Sequence, residues 1–212
     1  MTILLGRGRP PFVKICGVRN RETLETCARC GVDAVGLVFA ERSPRRLDMP
    51  EALALFAAMP PSLEPIGLFV DPEMEILDGW PGQWIQLHGQ ESPERVQAIA
   101  TETGQRIIKA IPFDPEACRS WDGHPDVAVL LVDGPRGGSG EAFDHASLAE
   151  TIAEMSTPVV VAGGLAPDTV GKVVRDAQPF GVDVSSGVES TRGVKSSAMI
   201  EAFTSAARSP SS

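Results

Sequence analysis

Eight short apolar runs, each followed by a segment of helical periodicity, set the strongest constraint on what this chain can fold into. The runs are Phe12 to Cys16, Ala34 to Phe39, Pro65 to Val70, Trp84 to His88, Arg106 to Ile111, Val127 to Asp133, Pro158 to Ala162 and Val182 to Ser185. They are rich in β-branched residues and show no regular polar alternation, the pattern of strands covered on both faces by helices. The helical segments are Arg21 to Cys30, Pro50 to Met59, Pro72 to Leu77, Pro93 to Thr103, Pro115 to Trp121, His145 to Met155, Pro167 to Ala177 and Val194 to Ala207. Their punctuation is consistent: Asn20, Ser92 and Asp144 stand as N-caps, proline opens several first turns, and Gly31 stops the first helix. Leu24, Cys27 and Ala28 fall on one face of that helix, turned to the core. The weakest segment is Pro115 to Trp121, short enough for a single turn.

At 212 residues, eight units have about 26 residues each, enough for one strand, one helix and two short loops. An even repeat with no linker predicts an α/β fold in one domain spanning 1–212, a (β/α)8 TIM barrel near the lower size limit of that architecture. A doubly wound open sheet is the alternative. The Arg/Gly/Pro-rich stretch 1–11 and the Ser-rich stretch 209–212 are expected to be mobile ends.

Charge narrows the partners. Nineteen basic against 28 acidic residues give a formal net charge of −9, which repels phosphate backbones and anionic lipid, so neither nucleic acid nor membrane is expected. A small phosphorylated ligand stays within reach, because a few placed cations and backbone N–H groups bind an anion whatever the global sign. No apolar run approaches the roughly 18–20 residues of a membrane span. Ile3 to Leu5 is too short for a signal core, with Arg7 and Arg9 following it, so a cytoplasmic protein is expected. The four cysteines, at 16, 27, 30 and 118, are too sparse for a disulfide scaffold. Cys27-Ala-Arg-Cys30 closes a helix, where the dipole disfavours a thiolate, and no second pair completes a zinc site; both are read as packing thiols.

In a barrel of this kind chemistry sits at the C-terminal ends of the strands. That rule selects Cys16, Arg45, His88, Lys109, Asp133, Gly163-Gly164 and Ser185-Ser186-Gly187. Glycine-bearing loops after the seventh and eighth strands are where barrels bind phosphate, through backbone amides and the start of a short extra helix. Cys16 and Asp133 end the first and sixth strands, and acid–base work on a sugar needs such a pair: one group takes a carbon-bound proton, the other protonates a leaving oxygen. Taken singly, each has a plainer role, as a packing thiol and a loop cap. His88 is placed either to touch a ligand or to be satisfied within the barrel layer. Lys109 is expected to pair with an acid in the mouth, without a catalytic role.

Several ordered motifs carry more. Lys14-Ile15-Cys16-Gly17, Ser43-Pro44-Arg45, Gln86-Leu87-His88-Gly89, Asp133 followed by Gly137-Gly138-Ser139-Gly140 and Phe143-Asp144, Ala162-Gly163-Gly164-Leu165, and Asp183-Val184-Ser185-Ser186-Gly187-Val188-Glu189 together resemble the phosphoribosylanthranilate isomerase family of tryptophan biosynthesis. The match runs in order from about residue 12 to 203. The resemblance implies a single-domain barrel and an aldose-to-ketose isomerase. Its reaction is the Amadori rearrangement of N-(5-phosphoribosyl)anthranilate to 1-(o-carboxyphenylamino)-1-deoxyribulose 5-phosphate, with no cofactor or metal. It implies Asp133 as general acid at the furanose ring oxygen and Cys16 as general base at C2. Arg45 would hold the anthranilate carboxylate, and His88 would contact substrate. Gly163, Gly164, Ser186 and Gly187 would hold the phosphate. Arg42 and Arg46 rival Arg45 by position, and only the Ser-Pro-Arg motif favours Arg45.

Reference pKa values of about 8.5 for Cys and about 3.9 for Asp are the wrong way round for a base and an acid at neutral pH. Arg45 and helix dipoles are expected to favour the thiolate, while burial and that thiolate favour a protonated Asp133. The chain departs from the family pattern at His145, where Trp is common, at Thr169, where Asn is common, and at Ser196, where Asp is common. All three fall near helix starts, and His145 bears on the cover over the anthranilate ring. A related barrel isomerase of histidine biosynthesis is the second reading; it would carry Asp where this chain has Cys16. A non-catalytic phosphate-sensing barrel is the third, and the presence of both Cys16 and Asp133 argues against it. A monomer and a homodimer both fit.

Overall fold

The computed structural model describes residues 11–134 and 145–210. The Gly137 to Gly140 motif, Phe143, the expected cap Asp144, and residues 1–10 and 211–212 of the two ends lie outside them. Among the described residues, eight parallel strands close into a barrel: β1 (Phe12–Cys16), β2 (Ala34–Val38), β3 (Glu64–Phe69), β4 (Trp84–Leu87), β5 (Arg106–Pro112), β6 (Val127–Asp133), β7 (Val159–Ala162) and β8 (Gly181–Val184). Each pairs with the next, and β1 closes on β8 in a register that sets Lys14 beside Asp183. A helix follows each strand: α1 (Arg21–Arg29), α2 (Met49–Ala57), α3 (Met74–Asp78), α4 (Pro93–Thr103), α5 (Pro115–Trp121), α6 (His145–Glu154), α7 (Val170–Ala177) and α8 (Ser197–Arg208). The closed order settles the architecture in favour of the barrel over the doubly wound sheet.

Local chemistry accounts for the boundaries. Asn20 accepts from the Thr23 amide at 2.8 Å and opens α1, and Gly31, at φ +73°, lets the chain leave it. Leu24 and Cys27 of that helix are fully buried; withdrawing a leucine side chain from water is worth about 2 kcal/mol. Asp48 and Glu51 form a reciprocal capping box at α2. Thr169 and Ser196, two of the departures from the family pattern, both occupy N-cap positions.

Side chains alternate across each strand, and this divides the core. Val13, Ile15, Val35, Leu37, Leu130, Val132, Val159 and Val161 face outward and pack under the helices. Phe12, Ile66, Trp84, Ile108, Val129, Leu131 and Val160 face inward and fill the barrel floor. The inward set runs on upward to Lys14 and Cys16 in β1, Asp133 at the end of β6, and Asp183 in β8.

Three helices begin later than their sequence suggests. Helix α3 starts at Met74 instead of Pro72. Residues 167–169 form a turn, so α7 starts at Val170 instead of Pro167. Val194–Lys195 is not helical: it forms β10, antiparallel to β9 (Glu189–Thr191), in a two-stranded hairpin between β8 and α8.

Candidate active site

A cavity of about 720 Å³ opens at the C-terminal end of the barrel. Its lining brings together Cys16, Arg45, His88, Asp133, Gly163, Gly164, Ser186 and Gly187, the eight residues for which the resemblance implies a catalytic or binding role, together with Ser185. Arg42 and Arg46 are exposed, so Arg45 alone of the three faces the cavity. Val38, Leu68, Val70 and Ala40 give the same cavity an apolar flank.

Cys16 is buried beside two cations. Burial pushes its thiol pKa up; Lys14 and Lys195 pull it down, and Asp183 opposes them. Two lysines thus add to the help expected from Arg45, whose guanidinium is itself attracted by the Cys16 thiolate. Lys14 Nζ is 2.9 Å from Asp183 Oδ1; the lysine side chain is 1% exposed, and Asp183 borders the floor of the cavity. Asp133 is more open, its side chain 37% exposed, so the burial expected for it is not a property of the free site. His88 Nε2 stands 3.6 Å from Asp133 Oδ2, and Gln86 Nε2 is 3.3 Å from His88 Nδ1. With Gln86 donating, Nδ1 accepts and the ring proton sits on Nε2, facing the carboxylate.

The loops after β7 and β8 touch. Gly163 has φ +86°, and a Cβ there would stand 2.5 Å from both Asp133 Oδ1 and the Gly134 amide. A Cβ at Gly187 would meet the Leu165 carbonyl oxygen at 1.8 Å. Both positions therefore require glycine, one for conformation and contact, the other for contact alone. The short extra helix expected after β8 is a three-residue 3₁₀ turn, Ser186–Val188.

Lys109 lies elsewhere. It belongs to the outward side of β5 with Ile107 and Ile111 and donates to Glu91 Oε2 at 2.6 Å and to the Gly89 carbonyl at 2.9 Å. It does pair with an acid, but behind the barrel wall, where it secures the loop that follows His88.

The model of the family N-(5'phosphoribosyl)anthranilate (PRA) isomerase matches residues 13–206. The chain belongs to this family. It is 42% identical over 201 residues to the N-(5'-phosphoribosyl)anthranilate isomerase of Halorhodospira halophila, across 90% of this chain and 93% of that one. Among solved structures it resembles TrpF from Jonesia denitrificans, at TM-score 0.83 and 32% identity over 93% of this chain and 97% of that one. It also resembles a phosphoribosyl anthranilate isomerase in complex with reduced 1-(o-carboxyphenylamino)-1-deoxyribulose 5-phosphate. There the TM-score is 0.80 and the identity 30%, covering 92% of this chain and 97% of that one.

Four residues at the site of this isomerase-family barrel went unassigned in the sequence: Lys14, Asp183, Glu189 and Lys195. The first two were detectable, since inward alternation puts a cation and an anion in one layer of adjoining strands. Glu189 and Lys195 meet only through the hairpin, for which the sequence carries no clear signal.

Proposed function

We propose that this chain isomerises N-(5'-phosphoribosyl)anthranilate to 1-(o-carboxyphenylamino)-1-deoxyribulose 5-phosphate in tryptophan biosynthesis, with Asp133 as general acid and Cys16 as general base. Family membership supports the reaction. One observation carries the assignment of roles: Cys16 and Asp133, from β1 and β6, line the same cavity as the paired glycine loops after β7 and β8.

Asp133 gives its proton to the furanose ring oxygen as the C1–O bond breaks, and the anilino nitrogen lone pair forms the Schiff base. The Cys16 thiolate then takes the C2 proton, leaving an enaminol. Gain of a proton at C1 and loss of one from the C2 hydroxyl give the aminoketose. Lys14 and Lys195 favour the thiolate this step needs. His88 Nε2–H faces the Asp133 carboxylate produced by the first step. Gly163, Gly164, Ser186 and Gly187 hold the phosphate, and Arg45 the aryl carboxylate, with Val70 and Leu68 against the ring.

The substrate partner is a small phosphorylated molecule. No helix among the described residues is long and apolar enough to cross a membrane, and the four cysteines are free; we place the reaction in the cytoplasm. The test is fluorescence of freshly generated phosphoribosylanthranilate, which is expected to decay in proportion to added protein. A decay rate independent of the protein overturns the assignment.

A further inference from the structure

Arg45 presents one edge of its guanidinium to Glu189: Nε lies 2.6 Å from Oε1 and Nη2 2.8 Å from Oε2. This bidentate contact uses two of the five guanidinium donors and leaves the Nη1 side for another acceptor. Arg45 lines the cavity, whereas Glu189 is not among the described lining residues, so the carboxylate grips the guanidinium from the side away from the cavity. The stem is fixed as well. Gly17, at φ +80°, lies under it, and a Cβ there would stand 2.3 Å from Arg45 Cδ.

Glu189 is itself held in place. Its Oε2 accepts from the Gly193 amide at 3.0 Å, and its Oε1 accepts from Lys195 Nζ at 2.9 Å. The Lys195 side chain is 2% exposed, and its ammonium also donates to the Ser185 carbonyl at 2.9 Å. The hairpin of β9 and β10 thus ties the loop after β8 to the loop after β2. A single carboxylate facing one arginine would cancel its attraction for an anion. With two cations to one carboxylate, the cluster keeps a net positive charge beside the cavity.

We propose that Glu189 is a positioning residue that fixes Arg45 in the orientation receiving the substrate's aryl carboxylate, while Lys195 supplies the charge that keeps the cluster attractive to it. This rests on the assignment of Arg45 given above. The probes are reduced 1-(o-carboxyphenylamino)-1-deoxyribulose 5-phosphate and its counterpart built from aniline, which lacks the carboxyl group. Wild-type protein is expected to bind the first about 10–100-fold more tightly, the range for a hydrogen-bonded charge pair. Glu189→Gln brings that ratio toward one, and Glu189→Asp, which keeps the charge with a shorter reach, gives an intermediate ratio. In an Arg45→Met background, Glu189→Gln changes the ratio no further. An unchanged ratio in both Glu189 variants, or an equal further fall in the Arg45→Met background, overturns the proposal. A wild-type ratio near one overturns the Arg45 assignment itself.

Discussion

Lys14 and Asp183 form a buried ion pair, 2.9 Å between Nζ and Oδ1, in the barrel layer below the Cys16 thiol. The pair couples the Cys16 thiol to the wall of the barrel, because Lys14 is the largest of the influences that lower the thiol pKa against burial. The thiol is held above its ordinary value, so the thiolate fraction and kcat/KM rise with pH on the alkaline approach. Removing the cation in Lys14→Met moves that ascending limb to higher pH. The same variant leaves Asp183 as an uncompensated buried charge, at a cost of about 3–5 kcal/mol. Lys14→Met with Asp183→Asn relieves that cost, and its pH profile can then be read on a folded protein. A limb unmoved by Lys14→Met sinks the role given to the ammonium.

Cys16→Ser and Asp133→Asn are each expected to lower kcat by about 10²–10⁴, the usual contribution of a positioned acid or base. Serine at 16 keeps a hydroxyl too weakly acidic to ionise, and asparagine at 133 has no proton of comparable acidity to give. Thermal melting should stay close to wild type, since Asp133 is half-open and the Cys-to-Ser change is small in volume. Near-normal turnover in either variant would remove it from the mechanism.

The barrel and its mouth were legible because alternation and strand ends report directly on which way a side chain faces. Cys16, His88 and Asp133 each end an apolar run, and each lines the cavity. Lys109 shows where that rule needs the period as well. It lies one position out of phase with Ile108 and Ala110, so it belongs with the outward residues Ile107 and Ile111, and its acid is Glu91 behind the wall. The hairpin was not legible, because strands of three and two residues are too short to show alternation. Val194 instead continued the helical pattern of α8. With the hairpin went Lys195, and with it the partner that holds Glu189.

Gly187→Ala tests the contact between the glycine loops after β7 and β8, to which the phosphate is assigned above. Its Cβ would stand 1.8 Å from the Leu165 carbonyl oxygen, a backbone atom that cannot rotate aside. The loops must separate, at an overpacking cost of about 1–3 kcal/mol. For a chain of this size that lowers Tm by roughly 2–4 °C per kcal/mol. Competition by inorganic phosphate should weaken in step with the rise in KM. A variant with wild-type KM and phosphate affinity would separate Gly187 from the phosphate site.

Acid stability provides a test of the Arg45 and Glu189 contact that needs no substrate. Hydrogen bonds from Arg45, Gly193 and Lys195 outweigh burial and hold the Glu189 pKa down, from 4.5 to about 2. A carboxylate lowered in the folded state contributes stability that is present above 4.5 and lost as pH falls toward about 2. At about 1.4 kcal/mol per unit, this contribution is at most about 3.5 kcal/mol. Arg45 and Lys195 stay charged throughout that window, so protonating Glu189 also leaves two cations facing each other across a neutral acid. Urea midpoints at neutral pH should therefore favour the wild type over Glu189→Gln, and the gap should close as the pH is lowered through this range. A gap that stays constant down to the bottom of the window would mean that the carboxylate charge does not hold the hairpin to Arg45.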